Sequence, residues 1–224
     1  MNPYRQLTII GLIAIAVVVY AVERRRDRSF AADYGAVPAI IVPALRSLLD
    51  GDVSLRVVRE LSRTITALFL HGDAQHLLFN MVFLWTFGCL TSEALGQWQA
   101  VIVFLVCGVC GNIVQIWLEP ESLVPIIGAS GAICGFEGVY LGLALSWQLA
   151  WPSVWPLAYA VPPLQLGAFA VIGFIGDVYF LSQQGQGIAY GAHIGGLLSG
   201  LAIAALVTTI YRTEAAYQRP RRNT

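Results

Sequence analysis

Between Glu137 and Asp177 the chain runs 39 residues, 138–176, without one charged side chain. A single membrane crossing takes about 20 mostly apolar residues, because the hydrocarbon layer is ~30 Å thick and a helix rises ~1.5 Å per residue. The run is too long for one crossing and long enough for two. Trp151-Pro152-Ser153-Val154-Trp155-Pro156 is where it divides, since prolines break helices and tryptophans favour the membrane interface.

The same measure, with short flanks, predicts spanning helices over residues 7–22, 76–92, 98–117, 126–148, 157–176 and 188–211. The third carries Trp98 and Trp117 at its ends, where interfacial rings belong. Residues 183–187, QQGQG, form the polar turn before the sixth. With 57% hydrophobic and 12% charged residues and a mean hydropathy of +0.69, the chain has too little polar surface to cover a water-soluble globule. The expected fold is an all-α membrane protein, a six-transmembrane-helix bundle over residues 7–211. A short tail, 1–6, precedes it and a polar tail, 212–224, follows. The first loop, about 23–75, is too polar to span. Within it, residues 53–70 place Leu55, Val58, Leu61, Ile65 and Leu68 at helical spacing, which predicts an amphipathic helix on the membrane surface.

The first apolar run lacks a small-residue cleavage site and is followed by Glu23-Arg24-Arg25-Arg26, so it reads as a retained helix rather than a secretory signal. All 13 basic residues are Arg, with none between Arg63 and Arg212, which leaves no basic face for nucleic acid. The cluster at 24–28 argues for a cytoplasmic first loop, whereas Arg5, Arg212, Arg219, Arg221 and Arg222 argue for the opposite end. The charge count points both ways. Cys89, Cys107, Cys110 and Cys134 all lie in apolar runs and read as small packing residues, the C-x-x-C of Cys107 and Cys110 included.

His76 opens the second predicted helix, His193 lies in the first two turns of the sixth, and Gly128-Ala129-Ser130-Gly131-Ala132 lies near the start of the fourth. In a chain that crosses back and forth, these N-terminal ends share one side of the membrane. Gly131, Gly135, Gly138 and Gly142 recur along the fourth helix, and Ala192, Gly196 and Gly200 along the sixth, as small-xxx-small seams, which let helices approach closely. A serine with a histidine in reach is sufficient for nucleophilic acyl transfer. Ser130 is the candidate nucleophile and His193 its base. A dyad is expected rather than a triad, because Asp177 reads as the end of the fifth helix. His76 and Asn80, at i and i+4, can both donate to an oxyanion, together with the backbone N–H of Ser130 or Gly128. The plain alternative is that the glycines only hold the bundle together, with Asn80 bonding a neighbouring helix and His76 facing interfacial water.

These residues resemble the rhomboid intramembrane serine proteases. His76-Leu77-Leu78-Phe79-Asn80 is similar to the HxxxN of that family's second helix, Gly128-Ala129-Ser130-Gly131 to its GxSG, and Gly191-Ala192-His193-Ile194-Gly195-Gly196 to its final histidine motif. The resemblance implies a rhomboid-like six-helix core, no metal and no cofactor. It implies hydrolysis of peptide bonds in or beside the transmembrane helices of other membrane proteins, and a multi-pass position in a cell membrane. A bacterial inner membrane fits, with the site facing outward and both termini cytoplasmic. A catalytically silent relative that binds and escorts membrane clients is the alternative function. A small transporter would carry repeats or several mid-depth charges, and here only Glu137 is at that depth.

The chain departs from the family pattern at Ser62 before Arg63, at Glu93, and at Cys134, where an aromatic often stacks on the catalytic histidine. Tyr190 is the candidate substitute, and Phe79 lies within the first motif. Glu137, two turns below Ser130, is expected either to hold a water for deacylation or to be protonated and bonded within the bundle.

Overall fold

The computed structural model describes residues 6–26, 30–145, 153–154, 157–160, 163–183 and 187–217. Nine helices appear among them. Helix α1 is Leu7–Glu23, followed in the first loop by α2, Phe30–Tyr34, α3, Pro38–Leu49, and α4, Leu55–Thr66, which ends in a 3-10 turn, Ala67–Phe69. The bundle continues with α5, Ala74–Leu95, α6, Gln97–Leu118, α7, Ser130–Ala144, α8, Pro163–Ser182, and α9, Tyr190–Tyr217. Three stretches, Ala74–Leu95, Gln97–Leu118 and Tyr190–Tyr211, are long and apolar enough to cross a membrane, and α1, α7 and the Gly167–Ser182 part of α8 are shorter apolar helices.

Local chemistry sets several of these boundaries. The Asp73 carboxylate caps α5 by accepting the His76 backbone N–H at 2.8 Å, which fixes the start of the helix that carries His76. Gly96, at φ +108°, makes the sharp corner between α5 and α6. At the two ends of α6, Trp98 and Trp117 are largely exposed, as interfacial rings are.

Two helix boundaries differ from expectation. The fourth span begins at Ser130 rather than near residue 126, because Ile126 pairs in an antiparallel bridge with Ala36 and Gly128 turns the chain at φ +115°. Ser130 is thereby the first residue of its helix. The fifth span runs later than the expected 157–176. Leu157–Ala160 pairs instead with Ser153–Val154 as a short antiparallel hairpin, β1 and β2, and Pro163 starts α8. Asp177 therefore lies inside α8. The tryptophans and prolines of the dividing turn, and residues 184–186 of the polar turn, lie outside the described residues.

Helix α4 is amphipathic, as its spacing predicts. Val57 and Thr64 face inward, and Arg63 is buried with its guanidinium donating to the Ala32 carbonyl at 2.6 Å. Leu55, Val58 and Ile65 of the predicted stripe are exposed, while Leu68, in the 3-10 turn, is buried. The stripe is thus split: Leu55, Val58 and Ile65 face away from the bundle, whereas Leu61 packs partly buried against the core.

The centre of the bundle is α7, packed most closely against α9. A methyl group at Gly196 would overlap the Gly131 carbonyl oxygen, and one at Gly200 the Gly135 carbonyl. Gly138 meets the Leu197 carbonyl in the same way, so backbone lies on backbone along the seam. Phe104, Phe136, Val139 and Leu143 fill the core beside it. All four cysteines are free, and Cys107 packs on Gly135.

Candidate active site

The seam brings the N-terminal turns of α7 and α9 within side-chain reach of each other. Ser130 Oγ lies 2.8 Å from His193 Nε2, a distance for a hydroxyl donating to an imidazole nitrogen. As the first residue of α7, Ser130 has an N–H without an intrahelical acceptor, at the electropositive end of the helix.

The other imidazole nitrogen, Nδ1, lies 3.1 Å from Asp177 Oδ1 on α8. This corrects the expectation that Asp177 only marks a helix end. The fifth span starts six residues later than the pattern suggested, and that shift moves Asp177 from the boundary into the bundle, against His193. Tyr190, one turn before His193, meets the imidazole edge-on with ring centroids 6.3 Å apart, and Phe180 of α8 stacks on Tyr190 at 5.7 Å. Tyr190 thus supplies an aromatic wall to the ring, with Cys134 on α7 close by.

On the far side of the nucleophile, a side chain at Gly128 would strike His76, its Cβ falling 2.8 Å from Nε2, and would touch the Ser130 hydroxyl at 3.9 Å. Gly128 is the floor between His76 and Ser130, and only glycine leaves room there. Its own N–H donates to the Ala67 carbonyl at 2.9 Å. Of the two backbone donors considered for an oxyanion, Gly128 is therefore committed elsewhere and Ser130 remains. Asn80 is buried one turn below His76, and its Nδ2 donates to the His76 carbonyl at 2.9 Å. Phe79 stands 53% exposed, turned away from these groups.

Glu137 borders a cavity of about 540 Å³. Phe83 and Phe87 of α5, Phe169 and Phe174 of α8, Asp177 and His193 are among the other residues that line it. Cys134 Sγ, an Asp177 oxygen and a His193 nitrogen lie within 4.8 Å of one another, the one such grouping of potential metal donors among the described residues. The hydrogen bond between Asp177 and His193 accounts for that spacing.

His71 is a second residue that the sequence reading passed over. It is fully buried just before α5, its backbone N–H donates to the Glu23 carboxylate at 3.2 Å, and its ring meets His76 edge-on at 5.1 Å. Burial, with the neighbouring His76 adding to it, holds its imidazole down at about 4. Its position five residues ahead of His76 was the available signal.

Comparison with known proteins adds the following. A family model described as "Rhomboid domain" matches residues 58–210. The chain is 28% identical to rhomboid-like protein 11, chloroplastic, of Arabidopsis thaliana over 64% of this chain and 51% of that protein. It is 40% identical to the putative rhomboid protease YdcA of Bacillus subtilis over 37% of this chain and 41% of that one. It is 26% identical to the rhomboid protease GlpG of Salmonella choleraesuis over 66% and 49% respectively. The chain spans about half the length of these relatives.

Proposed function

This chain belongs to the rhomboid family, and from that premise we propose that it is an intramembrane serine endopeptidase. Its substrates are membrane proteins cut in or beside a transmembrane segment. The observation that carries the reading is the 2.8 Å approach of Ser130 Oγ to His193 Nε2 across the glycine seam. His193 Nε2 takes the hydroxyl proton as Ser130 Oγ attacks the scissile carbonyl. The oxyanion of the tetrahedral intermediate receives the Ser130 N–H, His76 Nε2 and the second amide proton of Asn80. Collapse of the intermediate expels the amine, which takes its proton from His193. A water then attacks the acyl-enzyme, with His193 again as base. The phenylalanine-lined cavity that reaches His193 and Asp177 is the proposed approach for substrate.

The test is cleavage of a transmembrane substrate by purified protein in detergent, wild type against Ser130→Ala, with a fluorophosphonate probe in parallel. Cleavage and probe attachment at Ser130, both absent in Ser130→Ala, are expected. A folded wild-type protein that neither cleaves nor labels, yet retains membrane clients, would favour the silent escort reading. The site is proposed to face the outer side of a cell membrane. The relatives include chloroplastic and mitochondrial proteins.

A further inference from the structure

We infer that Asp177 is the positioning residue of the catalytic base, so that Ser130, His193 and Asp177 act as a triad assembled from three helices. The inference rests on the protease reading and deepens it. An imidazole that accepts the Ser130 proton at Nε2 must carry its own proton on Nδ1, and an Nδ1–H turned into a bundle needs an acceptor. Asp177 Oδ1, at 3.1 Å, is that acceptor.

Among the described residues the carboxylate has no Arg partner to rival His193. No Arg or Lys occurs between Arg63 and Arg212, a stretch that includes all of α5 to α8 and most of α9. Arg63 itself is engaged with Ala32 and Glu60. Glu137 lines the same cavity, but the side-chain hydrogen bond that Asp177 makes is to His193. The side chains of His193 and Asp177 are only 17% and 19% exposed, so water competes weakly for either.

Position within the fold supports the same role. Asp177 is five residues short of the end of α8, where a regular helix fixes its direction, whereas a residue in the following turn would be free to move to solvent. In the reaction the carboxylate does two things: it fixes the tautomer that presents a bare Nε2 to Ser130, and it stabilises the imidazolium formed when that nitrogen takes the proton. Both effects are larger in a poorly hydrated cavity than in water.

The experiment uses the full chain in detergent. Asp177→Asn and Asp177→Ala are expected to lower kcat by about 10²–10⁴-fold with KM unchanged, and to slow fluorophosphonate labelling of Ser130 to a similar degree. The chain has three histidines, so [15N]histidine spectra can be read singly, the His193 signal being the one lost in His193→Ala. Wild-type His193 is expected as the Nδ1–H tautomer, and Asp177→Ala as a mixture. Turnover within about twofold of wild type in a folded Asp177→Ala protein would overturn the inference, and so would an Nε2–H tautomer in wild type. If the variants fail to fold, the wild-type spectrum still decides. Absence of cleavage and labelling in wild type would instead sink the protease reading, which the tautomer does not measure.

Discussion

Asn80 carries two amide protons, and the bond to the His76 carbonyl uses one. The second is free to meet an oxyanion, and the His76 imidazole, pressed on Gly128, stands one turn above it. Asn80→Ala and His76→Ala are therefore expected to fold and to lose about 10²–10³-fold in kcat, roughly 3–4 kcal/mol of transition-state stabilisation, with KM little changed. Wild-type turnover in both would make these residues structural. His71 acts on stability instead. Its folded value of about 4 lies below the ordinary 6.5, so between those pH values the unfolded chain binds more protons at this ring and stability falls as pH falls. The slope is at most ~1.4 kcal/mol per pH unit. Thermal midpoints at pH 7 and 5 should diverge more in wild type than in His71→Asn. Equal slopes would show that this ring does not titrate as described.

At the scale of helices, the seam between α7 and α9 sets the geometry on which the chemistry depends. Gly196→Ala drives a methyl into the Gly131 carbonyl, so the helices must part at the turn next to Ser130 and His193. A loss of about 1–3 kcal/mol and a larger fall in turnover are expected. Gly11→Ala in α1 meets no atom within 4 Å and should be neutral or slightly stabilising by thermal midpoint and activity. Similar effects from both would mean that the seam is not tight. This seam was legible in the sequence because small residues every three or four positions have one main use in a membrane helix. The apolar runs likewise announced the spanning helices. Their ends were not legible. Ser130 opens α7 because Ile126 pairs with Ala36, some ninety residues away, and no local pattern encodes that bridge. Asp177 was missed for a related reason: a charge after a long apolar run looks like a boundary until the β1–β2 hairpin takes up Leu157–Ala160 and shifts the helix forward. Gly128 was assigned a free N–H because its partner, the Ala67 carbonyl, belongs to another part of the chain.

For the molecule as a whole, the site and the first loop lie at one end of the bundle. Glu23, at the end of α1, reaches the His71 N–H beside the start of α5, and Ala36 and Ala39 pair with the loop that leads into α7. Arg24, Arg25 and Arg26 are therefore at the site end, where an outward orientation disfavours them. Not every arginine of that loop counts as a free topogenic charge: Arg63 is buried on Ala32 and Glu60, and Arg56 lies 3.8 Å from Asp52. At the other end, the described residues include Arg212, in the last turns of α9. Cysteines placed singly at Asp50 and Leu123, after the four native ones are replaced by alanine, lie at the site end, whereas one at Gln99 in the first turn of α6 lies at the opposite end. With the proposed orientation, a membrane-impermeant thiol reagent added to intact cells labels positions 50 and 123, and labels position 99 only after permeabilisation. Labelling of position 99 in intact cells with protection of 50 and 123 would turn the bundle over. Ser130 would then open toward the inner compartment, and its substrates would be sought among segments exposed on that side.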